Sequence, residues 1–170
     1  TPIAPTNQEG WLVQLDAARG HLHAAMQWLD ATGRLAELAG LVTQLRWYWH
    51  LNGRNEEGMR WYERILARYP DQTDPIYIDT LRWAGYMAQV LGRPEASTYL
   101  ERAMSAAQAS HDTQREAAVI EILAIMAMGN GEFDLAEQQF QTALALYDDT
   151  YFAWKRRTID FHLGVIAYGR

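Results

Sequence analysis

The sequence predicts an all-α fold built from stacked antiparallel helix pairs, about eight helices in all. Three observations carry this. Ala, Leu, Glu, Gln and Arg dominate the 170 residues, and all are good helix formers, whereas extended Val/Ile/Thr alternation is missing. Gly53, Gly92 and Gly131 recur at a fixed period of 39 residues, each closing one helical pattern and opening the next. A fixed period in this range marks a repeat protein. Within the segments apolar residues recur every three or four positions, as in Phe133, Ala136, Phe140, Ala143, Leu144 and Tyr147, or Ala96, Leu100, Ala103 and Ala107.

The elements follow in order. A first helix is expected from about Glu9 to Ala31, after the capping-box spacing Thr6-Asn7-Gln8-Glu9. A second runs from about Leu35 to Leu51 and stops at Asn52-Gly53. The third spans about Glu56 to Arg68 and is stopped by Pro70. Asp74-Pro75, an N-cap with proline at the first helical position, opens the fourth, which ends at Gly92. The fifth opens at Pro94 and ends near Ser110. A second capping box, Thr113 to Glu116, opens the sixth, which ends near Gly129. The seventh runs from Phe133 to Tyr147 and the eighth from about Thr150 onward. Short connections make successive helices antiparallel. The expected organisation is one repeat domain over 1–170, with a leading helix over 9–34, units over 35–70, 74–110 and 112–148, and an incomplete unit over 150–170.

Composition narrows the function. The hydrophobic share of 49% excludes a disordered chain. The formal charge of −6 disfavours nucleic acid, because phosphate binding needs a basic stripe. The nearest basic run, Lys155-Arg156-Arg157, is short and flanked by Asp148, Asp149 and Asp160. The lack of cysteine excludes disulfides, thiolate metal sites and thiol nucleophiles. No apolar run approaches a membrane span and no signal peptide is visible, so a cytoplasmic location is expected. The chain begins without Met and stops inside a helical pattern, as a module of a longer protein would.

The unit of helix, glycine turn and helix, with small and large residues at fixed offsets, resembles the tetratricopeptide repeat. Forward from Gly131, Ala136, Phe140 and Ala143 occupy the small, aromatic and small positions of that repeat. The matching residues are Gly58, Tyr62 and Ile65 after Gly53, and Ala96, Leu100 and Ala103 after Gly92, where the turn is one residue shorter. Seven residues before each turn a small residue is expected; Gly85 and Ala124 fit and Arg46 does not. Gly164 continues the series and predicts a further turn beyond the last residue. The longer period is similar to the repeat arrays of large bacterial LuxR-type or maltose-regulator-like (STAND-class) transcription regulators. The segment from His21 to Leu29, and the run from Trp47 through Gly58 and Trp61 to Leu66, resemble motifs of those arrays, with His21 and His23 as departures. This resemblance implies a right-handed superhelix whose concave groove is lined by the first helix of each pair.

Carried onto this chain, the groove positions are Thr43, Trp47 and His50; Arg82, Tyr86 and Gln89; Glu121, Ile125 and Met128; and Phe161, Val165 and Tyr168. They form a mixed aromatic and polar track of the kind that anchors partners. The stripe of Trp47, Trp49, Trp61 and Tyr62 is expected in the core. His21 and His23 stand two residues apart and cannot form a helical i, i+4 metal pair, and His50, His111 and His162 are scattered, so neither metal nor cofactor is expected. The acid pairs Glu56-Glu57 and Asp148-Asp149 sit at helix starts, where negative charge suits the helix dipole. No P-loop, dinucleotide fingerprint or nucleophile elbow occurs, and no enzyme is expected. The expected function is a non-catalytic sensor module that binds a protein, a peptide or a small inducer. The alternative is a scaffold or oligomerisation module without a small ligand, with a homodimer through the open C-terminal helix face.

Overall fold

The computed structural model describes residues 8–69, 73–147 and 149–169, and the side chains of 10–69, 73–147 and 155–168. The expected capping box at Thr6, the stop at Pro70 and the acid pair Asp148-Asp149 lie outside the described residues and side chains. Among the described residues the structure is all-helical, and it packs as two compact units that divide after Tyr69.

The first unit holds α1 (Gln8–Ala17), α2 (Arg19–Ala31), α3 (Leu35–Gln44), α4 (Arg46–Leu51) and α5 (Asn55–Leu66). The second holds α6 (Pro75–Val90), α7 (Ala96–Ala109), α8 (Thr113–Gly129), α9 (Phe133–Leu146) and α10 (Asp149–Gly169). The described residues therefore form ten helices where eight were expected. Both extra boundaries are bends inside an expected helix. At Ala18 and Leu45 ψ falls to 0°, the tighter geometry of a 3₁₀ turn. The Leu45 amide is shared between the Leu41 and Val42 carbonyls, at 3.1 and 3.2 Å. The Arg46 guanidinium donates to the Thr43 carbonyl at 3.0 Å. Arg46, the misfit of the repeat pattern, thus stands directly after the bend.

Turns are built to one plan. The helices ending before Gly33, Gly53, Gly92, His111 and Gly131 all close with the paired bonds of a Schellman motif. At Gly53, φ is +66°, its amide donates to His50 O, and the Arg54 amide donates to Trp49 O at 2.8 Å. Among the described residues four of the five left-handed positions are glycine; the fifth is His111, with φ +55°.

The repeat offsets describe the packing. Tyr62, Leu100 and Phe140, the large positions, are at most 1% exposed. The flanking positions Gly58, Ile65, Ala96, Ala103, Ala136 and Ala143 are buried as well. A Cβ on Gly85 would lie 2.6 Å from Leu100, so α6 and α7 approach as closely as a glycine allows. Ala124 and Phe140 share one core cluster with Ile159 and Ile166 of α10. In the first unit the close contact has a different origin: Gly58 of α5 lies against the ring of Trp49 on α4, 2.7 Å from where a Cβ would stand. Trp49 and Tyr62 meet edge to face, with centroids 6.2 Å apart. Trp61 is buried too, whereas Trp47, expected in the core, is 42% exposed.

Candidate functional site

In the second unit a network of charged side chains runs along the first helices of its pairs, α6, α8 and α10. The helix starts set this up. Asp74 caps α6, accepting from the Ile76 amide at 2.7 Å, with Pro75 in the first turn as expected. Asp112 caps α8, accepting from the Arg115 amide at 3.0 Å. The cap is therefore one residue before the expected Thr113, which is the first residue of the helix. Asp112 wins because its carboxylate also binds the Arg115 guanidinium, at 2.7 Å.

From there Arg115 reaches α6. Its Nε donates to the Pro75 carbonyl at 2.9 Å, and its guanidinium lies 3.2 Å from the Asp79 carboxylate. Asp79 also accepts from Arg82 at 3.0 Å. Further along α8, Glu121 is buried and accepts from the Tyr147 hydroxyl at 2.7 Å and from Lys155 of α10 at 2.6 Å. The Lys155 ammonium also lies 5.2 Å from the centre of the Tyr147 ring. His162, one helical stretch on, stacks face to face on Phe140 at 5.2 Å.

These surroundings fix the protonation states. Burial, with Glu121 beside it, pushes the Tyr147 hydroxyl far above the ordinary phenol value, so it stays a hydrogen-bond donor. Burial holds His162 below the ordinary imidazole value, against the opposing pull of Glu121. Its Nδ1 is buried without a hydrogen-bond partner among the described residues. Glu121 is spent on a donor and a cation. The cluster is built to hold three helices in register and to set a fixed charge pattern along them.

The twelve groove candidates fall into four groups of three. In the first unit Thr43 is on α3, and Trp47 and His50 are on α4, their rings edge to face at 5.9 Å. On α6, Arg82 stacks over Trp83 at 4.5 Å, and Trp83 meets Tyr86 edge to face at 5.8 Å. Arg82, Tyr86 and Gln89 are half-buried, and burial raises the Tyr86 hydroxyl. On α8, Glu121 is buried in the polar cluster, and Ile125 and Met128 pack against the core of the second unit. On α10, Phe161, Val165 and Tyr168 are 68%, 43% and 96% exposed.

Sequence reasoning missed Asp79, Arg115, Tyr147, Lys155 and His162. The available signal was charge on an otherwise buried face: Asp79 falls three residues before Arg82, and Lys155 is the sole lysine. Among the described residues no three His, Asp or Glu side chains are grouped to hold a metal ion, and no helix is long and apolar enough to cross a membrane. Comparison with known proteins gives no matching family model and no curated protein with a significant sequence match.

Proposed function

We propose that this chain is a non-catalytic binding module, the sensor part of a larger bacterial transcription regulator, and that it takes a peptide or protein on the first-helix face of its repeats. One observation carries the binding part. Phe161, Val165 and Tyr168 follow one another at i, i+4 and i+7, a single exposed stripe on α10, while Ile159 and Ile166 on the same helix are buried. Exposed aromatic stripes beside fixed charges are the usual anchors of a partner. The polar cluster supports the same reading, since its charges are held in place before any ligand arrives. The regulator assignment rests on the resemblance of the repeat motifs. Ligand binding would act by differential affinity for two arrangements of the parent protein.

The test selects peptides on the wild-type protein and measures them on Phe161→Ala/Tyr168→Ala. The double variant should lose binding at least tenfold with an unchanged melting temperature. Equal binding by the variant, or loss of binding only in step with loss of fold, would refute the site. A Walker motif and a helix-turn-helix in the flanking sequence of the parent would support the regulator assignment, and a parent without them would sink it. The nearly full exposure of Tyr168 also favours a second reading, self-association through α10. Concentration-dependent sedimentation that Tyr168→Ala abolishes would favour that scaffold role.

A further inference from the structure

The first unit contains a cleft between α2 and α5, with a volume of about 910 Å³. It is far from empty of chemistry. Arg19 and Glu57 form an ion pair across it at 3.0 Å. Toward the C-terminal ends of both helices, Asp30 of α2 binds Arg64, whose Nε donates at 2.6 Å, and also Arg68. The two helices are thus held apart and braced by ion pairs, and the space between the braces stays open. Its wall includes the Trp61 ring, met edge to face by His23 at 5.9 Å, with Gln27 hydrogen-bonded to that histidine at 3.0 Å.

Charge in this cleft runs against the charge of the chain. The whole sequence carries −6. The cleft is lined by three arginines, Arg19, Arg60 and Arg64, against the two carboxylates of Asp30 and Glu57, and Arg68 adds a further cation on Asp30. Asp30 is 5% exposed, and its carboxyl is held below the usual range, first by the hydrogen bond from Arg64. Each arginine carries five N–H donors, and the braces use only some of them. Arg19 and Arg64 keep 49% and 59% of their side chains exposed. Arg60 lines the cleft midway along α5 and makes no ion pair with any described residue.

Size selects among anions. The lining residues of α2 run from Arg19 to Ala31, a length of about 18 Å at the helical rise. That exceeds a single carboxylate or phosphate group and matches about five residues of extended chain. An extended segment with carboxylates at intervals can meet Arg19, Arg60 and Arg64 in turn while its stem lies along Trp61.

We propose that the α2–α5 cleft is a docking groove for a short acidic peptide segment, with Arg60 as its uncommitted anchor and Arg19 and Arg64 as flanking contacts. It is separate from the α10 stripe and stands or falls independently of it.

The test measures binding of rhodamine-labelled hexaglutamate by anisotropy, with labelled hexaglutamine as control. Hexaglutamate should bind, hexaglutamine should not, and affinity should fall as ionic strength rises. Arg60→Glu should weaken binding about tenfold, the measure of a reversed close charge. Its thermal midpoint should stay that of the wild type, since Arg60 is exposed and braces nothing. Phe161→Ala/Tyr168→Ala should bind hexaglutamate as the wild type does. Three results would overturn the proposal: no binding of hexaglutamate at millimolar concentration, unchanged affinity in Arg60→Glu, or displacement by inorganic phosphate at concentrations equal to the peptide's, which would make this a small-anion site.

Discussion

Single residues in this chain carry opposite instructions under the same one-letter code, and glycine shows it best. Gly58 lies where a Cβ would come within 2.7 Å of the Trp49 ring. Gly58→Ala should therefore cost about 1–3 kcal/mol, because the buried indole has to leave its seat. Gly40, inside α3, has open space where a Cβ would stand. Gly40→Ala should stabilise by about 0.5–1 kcal/mol through lost backbone freedom in the unfolded chain. Urea unfolding of the two variants checks both, and two shifts of equal sign would contradict the distinction. Gly58 was legible as a small position from its offset to Gly53. Its partner was not, because the offsets point to the helix pair but not to Trp49, whose contact replaces the small residue expected at Arg46.

Elements were legible where punctuation marks them and illegible where it does not. Gly53, Gly92 and Gly131 each end a helix with φ above +60°, so the period located these turns. The bends at Ala18 and Leu45 carry neither glycine nor proline, and Gly20 lies inside α2 without a left-handed φ, so no turn residue marks the break between α1 and α2 or between α3 and α4. The start of α8 was misplaced by one residue because Thr113 and Glu116 have capping-box spacing, while the adjacent Asp112 has the stronger acceptor. The choice can be measured. Asp112→Ala removes both the cap on the Arg115 amide and the carboxylate that holds the Arg115 guanidinium, and should cost about 1–2 kcal/mol. Thr113→Ala should change stability by less than about 0.5 kcal/mol, as an exposed position without a cap. If thermal melts give the larger loss to Thr113→Ala, the cap has been assigned to the wrong residue. The α2–α5 cleft belongs to this scale as well. Its braces join residues 34 and 38 positions apart, which no local pattern announces.

At the scale of the whole molecule, the acid dependence of stability falls into two windows. His162 belongs to the second unit, and burial keeps its folded-state pKa below the ordinary 6.5. The unfolded chain then takes up this proton first as pH falls. The stabilisation is complete above about pH 6.5 and is lost as pH drops from there toward the folded value, with a slope of at most about 1.4 kcal/mol per pH unit. Glu121, the acid facing it, opposes the shift and narrows the window without reversing its sign. Asp30, in the first unit, has its carboxyl held below 3.8 by Arg64 and Arg68, and Asp112, in the second, is held below 3.8, against the effect of its burial, by Arg115. That stabilisation is present above about pH 3.8 and is lost only as pH falls through the lower folded values. Urea midpoints followed by circular dichroism from pH 8 to pH 3 should therefore fall in two steps. His162→Leu removes the titrating ring and keeps an apolar contact on Phe140, so it should flatten the step below pH 6.5 and leave the step below pH 3.8 in place. A wild-type slope in His162→Leu between pH 6.5 and 5 would show that another group carries the first step.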